Sequence, residues 1–208
     1  MMGRLSWTGW ALAGFLSLGV ALVSYRYLAP GSPGGAHEIL ANPFAKPWLF
    51  VHVAGAATAL LLAAPQLLPV VRRRWPAVHR WVGRLYIVGC LVGAVAGFIV
   101  AFGSFAGPIA TIGFASLGVI WFIANLQGWR TAMARNFTDH RAWMIRSFAM
   151  TFGAVTLRLY LPLFPLLGVD FLDGYRAVSF LAWVPNLILA ELYLRGAFRR
   201  RSRVMAPA

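Results

Sequence analysis

Of 208 residues, 60% are hydrophobic and 12% charged, a composition too apolar for a water-soluble domain and suited to one integral membrane domain. The net charge of +14 would suit a nucleic-acid partner, but the arginines lie between apolar runs, where they set topology and meet anionic membrane lipid. The single cysteine, Cys90, sits within an apolar run, which excludes an internal disulfide, a CxxC pair and a thiolate metal cluster.

A membrane-crossing helix takes about 20 apolar residues, and six stretches qualify: residues 7–28, 48–70, 81–102, 108–129, 143–167 and 178–194. The expected fold is all-α, an integral membrane bundle of six transmembrane helices. It forms one domain over 1–208, with core helices across 48–167 and the first and last helices peripheral. Tryptophan marks the edge of five stretches, as interfacial aromatics do. The first begins like a signal peptide after Arg4, yet Tyr25, Arg26 and Tyr27 stand where cleavage wants small residues, so a retained helix is expected.

The Pro- and Gly-rich residues 30–47 read as an irregular connection, with His37 solvated inside it. His52 lies about one turn inside the second helix, where an ionisable residue defaults to a functional role. The third helix opens on HRWVGR from His79, with Pro76 as a candidate first helical residue. Gly89, Gly93 and Gly97 then stack on one face and admit a close neighbouring helix or, less commonly, a flat ligand. In the fourth helix Asn125 and Gln127, with Gln66 in the second, can line a polar route, although single amides between helices are usually packing hydrogen bonds.

The fifth helix opens on HRAWMIR from His140, 61 residues after His79, with Thr138 or Asp139 as its expected N-cap. Pro162 and Pro165 should kink or end it near its far boundary. Arg158, 18 residues beyond His140 and so roughly 27 Å along the axis, either shares a pocket with His52 or pairs with Asp170 or Asp173. In the sixth helix Glu191 pairs by default with Arg195 one turn on; facing the bundle, it would instead meet Arg84 or Arg146.

Connections 71–80 and 130–141 and the tail 195–203 carry twelve arginines, whereas the other connections carry only Lys46 and Arg176 beside Glu38, Asp170 and Asp173. The positive-inside rule therefore places both termini in the cytoplasm of a bacterial inner-membrane, multi-pass protein. His79 and His140 then lie level, each near the start of a parallel helix, where the helix dipole favours the neutral imidazole that can bind metal. Arg80, Arg84, Arg141 and Arg146 need anions nearby, either lipid phosphates or the propionates of a haem. Two readings stay open, a headgroup-anchoring cluster and a ligand pair. Motifs for hydrolases and nucleotide binding are absent: no paired carboxylates, phosphate-cradling glycine loop, GxSxG or HExxH occurs.

At HVAGAATALLLAAPQ, HRWVGRLY and HRAWMIRSFAMTFGAVTLRL the chain resembles the bacterial family of predicted membrane proteins called domain of unknown function 2306 (DUF2306), over about residues 48–161. That resemblance implies an integral membrane protein and brings no activity with it. In layout the chain is also similar to cytochrome b-561, which has six helices, both termini inside and two b-type haems held by histidine pairs. That likeness implies one haem between His79 and His140; the other would need His52 and a fourth-helix histidine, and residues 106–115 contain none. The leading expectation is an electron-transfer protein with one haem b ligated by His79 and His140. Arg80, Arg84, Arg141 and Arg146 would meet its propionates, and His52 with Arg158 would form an outer pocket for a quinone or other redox partner. The alternative uses the same residues without a cofactor, in a transporter or in a lipid-interacting or assembly-factor membrane protein.

Overall fold

The computed structural model describes residues 4–29 and 37–205. These form ten α-helices: α1 (Arg4–Tyr25), α2 (His37–Ala41), α3 (Ala45–Leu67), α4 (Pro69–Arg74), α5 (Pro76–Ala101), α6 (Pro108–Met133), α7 (Phe137–Thr151), α8 (Gly153–Leu166), α9 (Phe171–Leu181) and α10 (Val184–Met205). Six spans are long and apolar enough to cross a membrane: Thr8–Leu28, Ala45–Gln66, Pro76–Ala101, Pro108–Met133, Phe137–Leu166 and Phe171–Gly196. In hydrocarbon every backbone N–H and C=O must be satisfied within the protein, which long apolar helices achieve on their own. Burial follows the same logic. Large side chains such as Phe15, Leu85, Ile112 and Leu189 point outward, while much of the interior is built from Ala57, Ala59, Ala63, Ala94, Ala124 and glycines, packed around a smaller set of large side chains that includes Leu60, Tyr86 and Trp121. Small residues inside and bulky apolar ones outside are the pattern of helices packed in lipid.

The helices alternate in direction. His52 lies against Gly97, Gly55 against Gly93 and Gln66 against Gly83, so α3 and α5 are antiparallel. Tyr86 bonds Ser147, and Cys90 contacts Thr151, so α5 and α7 are parallel. The tightest crossing is α3 on α5, where a Cβ on Gly55 would stand 2.8 Å from both Gly89 O and Gly93 N. Gly89 and Gly93, expected to admit a neighbour, therefore interlock with Gly55, a partner the glycine spacing on α5 did not name.

Several boundaries differ from expectation for identifiable reasons. Residues 30–36 of the expected irregular connection lie outside the described residues, as does the side chain of His37; beyond them the short helix α2 forms before α3. Pro76 does begin α5. The fifth span starts earlier than expected, because Asn136 rather than Thr138 or Asp139 is the cap: its Oδ1 accepts from the Asp139 N–H at 3.2 Å while its Nδ2 donates to the Asp139 carboxylate. That span ends at Leu166, just past Pro165, and also breaks at Phe152. There Thr151 Oγ1 donates back to Ser147 O, a bond that bends helices, and Gly153 lies close to Ala182 O of the sixth span. The sixth span breaks between Leu181 and Val184, since a helical Pro185 lacks a donor for, and crowds, the carbonyl four residues back.

Candidate functional site

The capping fixes the two histidines in equivalent places. His79 is the fourth helical residue of α5 and His140 the fourth of α7, and each N–H closes the first turn onto its cap, Trp75 O at 3.0 Å and Asn136 O at 2.9 Å. The 61-residue offset between them recurs deeper, in the bond from Tyr86 to Ser147 and in the contact of Cys90 with Thr151. The two histidines are thus level at the arginine-rich end. A carbonyl can only accept, so the 2.8 Å contact of His140 Nδ1 with Gly128 O places a proton on Nδ1, and in the neutral ring Nε2 is then the nitrogen with the lone pair. His79 Nδ1 is buried and has no hydrogen-bond partner among the described residues. Gln66 Nε2 is in the same condition, and Gln66 packs against Gly83, one turn from His79 on the same face. Two unpartnered buried nitrogens at one end of a bundle are uncommon in a well-satisfied interior.

The arginines of this end divide into two groups. Arg146, expected to face a propionate, is held by Glu191 through two bonds of 2.5 and 3.1 Å, and its guanidinium lies over Trp143. Glu191 thus faces the bundle and joins α7 to α10 instead of forming the default pair with Arg195, because a bidentate partner outweighs a loose one on its own helix. Arg80, Arg84 and Arg141 are exposed and form no salt bridge among the described residues; Arg84 lies over Trp81, and Arg141 donates to Tyr193 OH.

Toward the middle of the bundle lies a sealed polar cluster, in which Asn125 makes the packing hydrogen bonds usual for a single amide between helices instead of lining a polar route, and whose other members the sequence did not single out. Ser147 donates to Asn125 Oδ1 at 2.8 Å, Thr151 donates to Ser147 O at 2.9 Å, and Trp121 Nε1–H donates to Thr151 Oγ1 at 3.0 Å. Both hydroxyl protons are thereby used, so the single Tyr86 O–H is shared between Ser147 Oγ at 2.7 Å and Thr151 Oγ1 at 3.0 Å. Asn125 Nδ2 returns to Trp121 O at 2.8 Å. The signal was present as three pairs one turn apart, Tyr86 with Cys90, Trp121 with Asn125 and Ser147 with Thr151. Every donor here has an acceptor, so the cluster fastens α5, α6 and α7 together and offers nothing to a ligand.

At the opposite end, His52 Nδ1–H donates to Gly93 O at 2.8 Å, and its ring packs against Gly97, which has no side chain to displace it. Arg158 donates to Ala154 O at 3.0 Å and to Ser24 Oγ at 2.9 Å. The expected pairing with Asp170 or Asp173 does not form: Asp170 caps α9 and Asp173 bonds Arg176. No hydrogen bond joins His52 to Arg158: the one bonds Gly93, the other Ala154 and Ser24.

The sequence of the family described as Predicted membrane protein (DUF2306) matches residues 49–194. The chain belongs to this family. No curated protein and no solved structure matches it. The DUF2306 segment takes in His52, His79, His140, Arg158 and the whole central cluster, while Ser24, which orients Arg158, lies before it. Within this DUF2306 chain the Arg146–Glu191 pair is partly buried, with side-chain exposures of 23% and 33%. Glu191→Gln leaves the guanidinium without its counter-charge. It is expected to lower stability by about 2 kcal/mol, seen as a fall of roughly 5 °C in the melting temperature of detergent-purified protein. Joint replacement by Met at 146 and Leu at 191 should recover most of that loss.

Proposed function

We propose that this membrane protein is a b-type haem electron-transfer protein in which His79 and His140 would hold the haem iron. The observation that carries the reading is the pair itself: two level imidazoles on parallel helices, one held by Gly128 O through its Nδ1–H, the other with a buried Nδ1 that nothing among the described residues satisfies. A ligating histidine is normally oriented in this way through its second nitrogen. Arg80, Arg84 and Arg141 are the arginines left to meet propionates, Arg146 being neutralised by Glu191. With two imidazole ligands a haem supplies one-electron transfer and no open coordination position. On this reading the arginine-rich end is cytoplasmic in a bacterial inner membrane, and His52 with Arg158 forms the outer pocket through which a quinone or other redox partner exchanges electrons.

Protein purified in mild detergent from haem-supplemented cells is expected to show a Soret band and, after dithionite, an α band. Both should be lost in His79→Ala and in His140→Ala. The second reading, a cofactor-free transporter or a lipid-interacting or assembly-factor protein, is favoured by the loss of Arg146 from the propionate set; it predicts a colourless preparation.

A further inference from the structure

Arg158 has no acidic partner among the described side chains. Its guanidinium stands at the edge of a dry cluster in which Ala21, Leu60 and Val155 are almost wholly excluded from contact with the surroundings, and Val20 and Ala154 pack against them. Of the four acidic residues with described side chains, Asp139 lies beside Asn136 and Glu191 beside Arg146 at the arginine-rich end, Asp170 caps α9 and Asp173 bonds Arg176. None forms a salt bridge with Arg158. A cation held inside a membrane domain without a counter-ion is costly, and such groups pair or mark a ligand path.

The guanidinium is nevertheless built into place. Ser24 Oγ donates its own proton to Val20 O at 2.6 Å and so can only accept from Arg158, and Ala154 O accepts a second N–H. These bonds use two of the five guanidinium protons and leave three for another acceptor, enough for a two-pronged grip on an oxyanion. Tyr25 OH bonds Thr58 Oγ1 at 2.7 Å, tying the end of α1 that carries Ser24 to α3. His52, with Nδ1–H committed to Gly93 O, keeps Nε2 as an acceptor at the same end of the bundle.

We propose that Arg158, oriented by Ser24 and Ala154 and accompanied by His52, binds an anionic oxygen group, a phosphate or a carboxylate, that also carries an O–H donor. The group supplies the guanidinium with a counter-charge that none of the described side chains provides, and its hydroxyl bonds His52 Nε2. Its source is either the acidic headgroup of a lipid or a free anion. The site narrows the partner of the outer pocket from quinones to anionic molecules and does not require the haem: a colourless protein that still binds through Arg158 refutes the haem and leaves this site standing.

The test uses delipidated full-length protein in a neutral detergent, with melting temperature followed against three probes: phosphatidylglycerol compared with phosphatidylcholine, inorganic phosphate, and lactate. Saturation of the site is expected to raise the melting temperature by on the order of 5 °C. A rise with phosphatidylglycerol alone assigns the site to a headgroup; a rise with phosphate or lactate assigns it to a free anion. Arg158→Gln should abolish the rise, and Ser24→Ala, which keeps the charge but releases its orientation, should weaken binding about tenfold. Should Arg158→Gln fail to fold, Ser24→Ala and His52→Ala carry the comparison. The proposal is overturned if no probe shifts the wild-type protein, or if the full shift persists in Arg158→Gln or in both of the other variants.

Discussion

Gly55→Ala is expected to be among the most damaging single-methyl additions in this protein. The new Cβ would stand 2.8 Å from Gly89 O and Gly93 N, both main-chain atoms, so no side chain can turn aside and the two helices must separate. Overpacking of this kind costs about 3 kcal/mol at its upper range, which for a chain of this size is roughly 10 °C in melting temperature. Separation would also pull Gly93 O away from His52 Nδ1, so the variant should bind the probes of the Arg158 site less well. Gly19→Ala serves as the control: nothing lies within 4 Å of a Cβ there, and alanine favours helix, so its melting temperature should stay level or rise. An unchanged melting temperature for Gly55→Ala would contradict the described crossing.

The second large effect is expected at Thr151. Valine has nearly the same shape but removes the hydroxyl, so Trp121 Nε1–H loses its acceptor in a site sealed from solvent and lipid, and Tyr86 must turn wholly to Ser147. Hydrogen bonds between membrane helices contribute about 0.6–1.7 kcal/mol each, and a buried donor left unsatisfied costs about 1–3 kcal/mol. Thr151→Val should therefore lower stability by about 2 kcal/mol, measured as a shift in the midpoint of denaturation, whereas Thr151→Ser, which keeps the hydroxyl, should recover at least half. Equal losses in the two variants would mean that packing, not the hydroxyl, matters at this position.

How much of this was legible depended on whether the deciding interaction was local. The six spans followed from apolar run length, because lipid forces backbone bonds to close within each helix. Pro76 announced its helix start through its own chemistry. Asn136 did not, since the apolar run that drew the fifth span begins well after the cap, and the first turn of α7 is polar. The break at Phe152 depends on a threonine bonding back to its own helix and on Gly153 meeting a later span, and neither shows in hydropathy. For the site, the common level of His79 and His140 was readable from topology, and their differing hydrogen bonds were not. His140 is defined by Gly128, at the end of a helix that its own sequence neighbourhood does not identify. Glu191 followed a tertiary partner over the nearby Arg195 because Arg146 offers two donors at once.

The glycines on α5 illustrate the same limit. Their four-residue spacing pointed to close approach, yet only the fold names Gly55 as the residue that fills the seam and His52 as the ring that rests on Gly97. A small-residue face predicts that something comes near; its identity is a property of the neighbouring helix.

The central claim, that His79 and His140 hold one haem between them, is tested most directly by the haem content of the purified protein. A pyridine haemochrome assay on detergent-purified material from haem-supplemented cells should give about one b-type haem per chain. The ratio should fall below about a tenth of that in His79→Ala and in His140→Ala and remain unchanged in His52→Ala. A ratio near zero in the wild-type protein, or a loss confined to His52→Ala, would contradict it.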